Sequence, residues 1–171
     1  MCKFINIFSS SNSNLFILRY IFEVENCYSK YKKYLQDDFA PNNINDFIKS
    51  FYPYFWIITD YYDKFMGFVG LDNFVGDGVV NFSAELTTCF DRYAWGDFTK
   101  YSAKIFLKKC FDEFGLYKIK SQIFPDNFRI KTLLKYSGFE HEATLPKETI
   151  RARKPQDIEI YSLYRKYYYG G

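Results

Sequence analysis

The chain has 171 residues, 48% of them hydrophobic, 23% aromatic and 25% charged, with 23 basic against 20 acidic side chains and a net charge of +3. That apolar content excludes a disordered chain, the lack of any repeat excludes a collagen-like or coiled-coil array, and the lack of about 18 consecutive apolar residues excludes a membrane span. A chain of this length buries roughly 70% of the surface it exposes when unfolded, which predicts one globular domain over residues 1–171.

Phe4 to Phe8 reads as a short strand, and Ser9 to Asn14 as a turn or helix start. Leu15 to Leu35 is largely helical in pattern and closes at Asp37, Asp38 and Ala40-Pro41; a short helix follows from Asn45 to Phe51, capped by Asn45 or Asp46 and stopped by Pro53. Phe55 to Thr59 and Phe65 to Leu71 are β-prone runs around a turn at Asp60 to Lys64. Val75-Gly76-Asp77-Gly78 carries a hairpin turn signal that leads into a strand from Val79 to Phe90. There Val80, Phe82, Ala84, Leu86, Thr88 and Phe90 share one face, and Asn81, Ser83, Glu85, Thr87 and Cys89 the other, more polar one.

Ala103, Phe106, Leu107, Cys110, Phe111 and Phe114 recur at helical spacing, with Gly115 placed to end the helix. Leu116 to Phe124 alternates as a strand, Pro125-Asp126-Asn127 starts a helix that Gly138 ends, and Phe139 to Leu145 and Asp157 to Leu163 form two last strands joined by a basic loop, Lys147 to Lys154. The order predicts a mixed α/β fold.

The chemistry on offer is limited. Cys2, Cys27, Cys89 and Cys110 form no close pair and His141 is the only histidine, so no metal site and no Ser-His-Asp arrangement is expected. A net charge of +3 without a basic cluster gives no nucleic-acid signature. The first residues contain no long apolar segment of the kind a signal peptide needs, which predicts a cytoplasmic protein with reduced thiols. The abundance of Phe, Tyr, Lys, Ile and Asn, whose codons are rich in A and T, reads as the mark of an AT-rich genome.

The stretch C-F-D-E-F-G-L-Y-K-I-K-S-Q-I-F-P-D-N-F-R-I-K-T-L-L-K-Y-S-G-F-E-H-E-A-T-L, Cys110 to Leu145, resembles the GNAT superfamily of N-acetyltransferases, and within it the branch that acetylates ribosomal-protein N-termini and similar amines. Phe111, the Gly115-Leu116 pair, Asn127, and Gly138-Phe139 eleven residues later fall at that family's spacing, and the likeness covers about residues 55 to 165. It implies the GNAT fold, a mainly antiparallel sheet of about six to seven strands flanked by helices, and transfer of acetyl from acetyl-CoA to a primary amine on a small molecule or protein. No metal and no membrane are implied, and the protein would be a monomer or homodimer.

By the same resemblance acetyl-CoA lies where the fourth and fifth strands splay apart. Its arm would pair with Thr87, Thr88 and Cys89, its pyrophosphate would rest on the loop Arg92 to Thr99 (Arg92, Ala94, Trp95, Gly96, Asp97, Phe98, Thr99), and Asn127 would bind the arm. Glu85 is the implied base, and the tyrosine or serine that donates a proton in many members is here Leu134 or Ile130. Tyr136 is the nearest phenol, two positions or about 200° further round the helix. The loop reads R-Y-A-W-G-D where the family has Arg/Gln-x-x-Gly-x-Gly/Ala. A loop filled by Trp95 or Asp97 would make the protein a non-catalytic binding or scaffold module, whereas an open one fits an enzyme.

Overall fold

A computed structural model of the chain describes residues 1–9, 14–77 and 79–170. The elements run β1 (Cys2–Asn6), α1 (Asn14–Leu35), α2 (Ile44–Lys49), β2 (Phe55–Asp60), β3 (Phe65–Gly76), β4 (Asn81–Phe90), a 3-10 turn (Arg92–Ala94), α3 (Asp97–Asp112), β5 (Lys118–Ile123), α4 (Phe128–Tyr136), β6 (Glu140–Arg151), β7 (Lys154–Tyr164) and α5 (Arg165–Tyr168). The strands form one sheet in the order β1-β2-β3-β4-β5-β7-β6. Every pair is antiparallel except β4–β5. This is the mixed, mainly antiparallel architecture expected. Among the described residues no helix is long and apolar enough to cross a membrane.

Strand alternation divides the core into two layers. Trp56 and Ile58 of β2, Ala84, Leu86 and Phe90 of β4, and Ile119 of β5 pack with Phe106, Leu107, Cys110 and Phe111 of α3 and Ile130, Leu133 and Leu134 of α4. On the other side Phe55, Ile57, Phe68 and Cys89 meet Val24, Cys27 and Tyr28 of α1 and Phe47 and Ile48 of α2. Each fully buried side chain of this size contributes about 1.5–3 kcal/mol, so the apolar stripe of α3 and the alternation of β4 together hold the central strands in place.

Several boundaries move. β1 pairs as Cys2–Asn6 against Trp56–Asp60, two residues earlier than Phe4 to Phe8. Residues 10–13, within the expected turn or helix start, lie outside the described residues. α2 starts at Ile44 because Asn43, not Asn45 or Asp46, caps it by accepting from the Asp46 N–H at 2.8 Å. β3 runs on to Gly76, past a bulge between Asp72 and Val75.

The largest correction concerns residues 147–154, which are not a loop. β6 and β7 continue through Thr149↔Gln156, Ile150↔Pro155 and Arg151↔Lys154 and reverse at Ala152 and Arg153, with φ of 52° and 61°. The backbone N–H groups of these two residues donate to the Asp38 carboxylate at 2.9 and 2.8 Å, and Arg151 makes a two-pronged contact with Asp126 at 3.0 Å. A partner 114 residues away in sequence stabilises a turn that has no local glycine or asparagine. Asp38→Ala is therefore expected to lower the thermal midpoint by about 2–4 °C, measured by circular dichroism.

Candidate active site

The site is built where β4 and β5 part. They pair only from Ser83–Glu85 to Lys118–Lys120. Beyond that, Leu86 to Phe90 stay with β3, while Ser121 to Ile123 follow β7. The Ser121 hydroxyl donates to the Leu86 carbonyl at 3.1 Å, standing in for the first lost rung of the ladder. Alternate residues of a strand direct their backbone groups to the same edge, so those of Thr88 and Phe90 also face the gap. An unpaired strand edge of this kind is a template for an extended ligand that carries amides.

A cavity of about 500 Å³ opens on the gap, between the end of β4, the start of α4 and the last turns of α1. A second, of about 570 Å³, lies under α2 and the α1–α2 segment, with Asp72, Thr87 and Gln122 among its lining and the β6–β7 hairpin at its side. Tyr34 and Leu35 line both. The two differ in sign. The first carries Lys33, Arg129 and Lys30, the last held by Asp91 at 3.3 Å, against one acid, Asp126, which Arg151 neutralises. The second carries Asp37, Asp72 and Glu148 and no Lys or Arg.

The expected cofactor residues divide between these spaces. Thr88, Cys89, Trp95 and Asn127 line the basic cavity and Thr87 the acidic one. The Thr88 hydroxyl donates to the Phe68 carbonyl at 3.1 Å, and the Asn127 side chain caps α4 through the Ile130 N–H at 3.5 Å. The Cys89 thiol points to Cys27, 3.6 Å away, and this contact and burial raise its pKa well above the ordinary value, which leaves it unreactive.

The loop before α3 is not plugged. Gly96 caps the helix at φ 123° and ψ −137°, and an added Cβ would meet nothing within 4 Å, so its backbone angle rather than crowding calls for glycine. Its N–H donates to the Thr99 hydroxyl at 3.2 Å. The first N–H groups of α3, from Asp97 onward, have no partner within the helix and favour an anion. Asp97 points wholly into solvent, 3.8 Å from Lys100. Trp95 forms a wall: it packs edge-on against Phe90 at 5.8 Å, with the Arg129 guanidinium 5.8 Å from its ring. Arg92 is exposed in the 3-10 turn, while Ala94, Phe98 and Thr99 turn toward the protein interior.

Glu85 sits at the vertex and lines neither cavity. It accepts from the side-chain amides of Asn73 and Gln122, both at 3.0 Å, and pairs with Lys120 at 3.4 Å. Tyr136 is not brought to the gap; it is 64% exposed on the outer face of α4, with the Lys100 ammonium 5.0 Å from its ring, in a separate groove. His141 is exposed on β6 and bonds Thr144 at 2.9 Å. The phenol at the junction of the cavities is Tyr34, which sequence reasoning missed because α1 lies outside the matched stretch.

No protein-family model and no curated protein sequence matches this chain. Solved structures do. Spermidine N-acetyltransferase from Vibrio cholerae, in complex with CoA and spermine, superposes with a TM-score of 0.75 at 17% identity over 98% of each chain. An acetyltransferase of the GNAT family from Bacillus anthracis gives 0.61 at 16% identity over 71% of this chain and 72% of its own. At such identities the likeness establishes the fold, which is that of the GNAT acetyltransferases.

Proposed function

We propose that the protein is an acetyl-CoA-dependent N-acetyltransferase whose acceptor is a small-molecule amine. The observation that carries this reading is the opposite charge of the two cavities, which flank the splay of β4 and β5 and meet at Tyr34 and Leu35. An anionic nucleotide cofactor suits the basic side, where Thr88 offers backbone groups and Trp95 of the lining stands two residues before the N–H donors that begin α3. A protonated amine suits the acidic side. A Vibrio cholerae neighbour that holds CoA and spermine supports the same pairing of ligands. The tight β6–β7 hairpin, tied to Asp38, borders the acceptor side and favours a small amine over the protein N-terminus that the branch resemblance implies.

In this reading the thioester carbonyl is presented to the acidic cavity, and the Tyr34 phenol lies at the junction as a proton source for the departing thiolate. The open loop, with Asp97 turned out and Trp95 as wall, favours catalysis over a scaffold role. Calorimetry is expected to give acetyl-CoA a Kd of about 1–100 μM, that is about −8 to −5.5 kcal/mol, and a panel of amines and N-terminal peptides assayed for thiol release should show turnover with small amines first. Absence of acetyl-CoA binding, or binding without turnover on any amine or peptide, would overturn the acetyltransferase reading and leave the scaffold one.

A further inference from the structure

We propose that Asp72, not Glu85, takes the proton from the acceptor amine; this rests on the acetyltransferase reading above. The two carboxylates are cross-strand partners on β3 and β4 and share a face of the sheet. Their surroundings differ because of the bulge that follows Asp72, where three steps along β3 match two along β4. Asn73, at φ 47°, turns its amide onto Glu85, which Gln122 and Lys120 also hold. Three donors thus fix Glu85 as a structural carboxylate at the vertex. Asp72, the last residue paired before the bulge, is half-buried and lines the acidic cavity.

The charged groups around Asp72 favour this role. Glu85 faces it from β4, and the cavity brings Asp37 from the α1–α2 segment and Glu148 from β6; Lys120 of β5 is engaged by Glu85. Burial in the first place, and the Glu85 charge in the second, push the Asp72 carboxyl up to about 6, with its own backbone N–H working the other way. A base with that proton affinity is ionised at neutral pH and still accepts a proton from an ammonium held against it. The step balances as follows. The ammonium passes its proton to the Asp72 carboxylate, and the free amine forms a C–N bond to the thioester carbonyl carbon. The C–S bond breaks, the thiolate leaves with the electron pair and takes a proton from the Tyr34 phenol, and the second proton of the attacking nitrogen replaces it, which leaves the neutral amide and the free thiol.

The test uses the full chain with acetyl-CoA and whichever amine it acetylates best. Asp72→Asn is expected to lower kcat/KM at least 100-fold between about pH 6.5 and 8, where the parent carboxylate is ionised, while acetyl-CoA affinity by calorimetry stays within about threefold. The variant should fold at least as well as the parent. A carboxyl whose folded pKa is raised costs stability above that pKa, so its removal lifts the thermal midpoint at pH 8 and has less effect near pH 5. In the parent, kcat/KM should fall on the acid side of about 6, and Glu85→Gln, by removing the like charge, should move that limb to lower pH. Turnover by Asp72→Asn within about threefold of the parent, or a limb that Glu85→Gln leaves in place, would overturn the assignment while the acetyltransferase reading stood; a parent chain that binds no acetyl-CoA would overturn both.

Discussion

Replacing Lys33 and Arg129 together by Glu is expected to weaken acetyl-CoA binding about 100-fold at low ionic strength. Both side chains line the basic cavity and both are exposed. Each substitution changes the local charge by two units against a ligand that carries several phosphate charges. At roughly 8 Å in a water-like dielectric, one pair of unit charges is worth about 0.5 kcal/mol, so each reversal costs on the order of 1–2 kcal/mol and the pair about 2.7. The loss should shrink steeply toward 1 M salt, where the screening length falls from about 10 to about 3 Å. The fold has little at stake: Lys33 lies 4.6 Å from the Tyr34 ring and Arg129 5.8 Å from the Trp95 ring, contacts worth about 0.5–1 kcal/mol each at exposed sites. At saturating acetyl-CoA the KM for the amine should change by less than about threefold, because the acidic cavity contains neither residue. Calorimetry at two salt concentrations makes the comparison. A double variant with undiminished affinity would place the cofactor elsewhere on the molecule.

That prediction depends on a charge contrast the sequence does not display. Local periodicity was enough for the elements that bury an apolar face against the sheet: the stripe of α3, with Phe106, Leu107, Cys110 and Phe111 in the core, and the alternation of β4. It was also enough for Asn127, whose capping role needs only the residues next to it. It was not enough for the β6–β7 hairpin, because the stretch from Lys147 to Lys154 is basic and solvent-facing, and Asp38 secures its turn from the far end of the chain. Asp72 carries no mark in the sequence, because the apolar run of β3 ends at Leu71, while pairing with β4 continues past it through a bulge. Tyr34 looks, in sequence, like one more aromatic in a lysine-rich helix end; only the packing of α1 over the splay puts it at the meeting of two cavities. Trp95, the residue on which an open or closed loop depends, is a wall because Phe90 packs edge-on against it and Arg129 lies over its ring.

Gly67→Val is expected to cost about 3–5 kcal/mol and to depopulate the folded state of a protein whose total stability lies in the usual range of about 5–15 kcal/mol. Gly67 lies on β3 opposite Phe90, with a φ of 159°. A Cβ there would stand 2.3 Å from the Cys89 carbonyl oxygen and 3.0 Å from the Phe90 Cα. Both are backbone atoms, so relief requires the strands themselves to move, which adds to the cost of overpacking. They have little freedom, since the Asp91 N–H donates to the Met66 carbonyl at 3.0 Å and closes the same end of the ladder. Gly70 provides the contrast. Its Cβ would meet the Phe51 ring at 2.5 Å, a buried side chain packed against Phe47 and Phe55, so Gly70→Ala displaces a core ring rather than a strand. The functional consequence follows from which strand is displaced. Cys89 and Phe90 continue directly from Thr88, whose backbone edge faces the gap, and pushing them away from β3 moves that edge toward the space the cofactor arm would occupy. Any Gly67→Val protein that still folds should therefore bind acetyl-CoA more weakly than its stability alone explains, although Gly67 lines neither cavity. Denaturant titration and calorimetry on the same preparation separate the two effects. A variant with parental stability would mean that β3 and β4 yield at a point where their backbones leave no room.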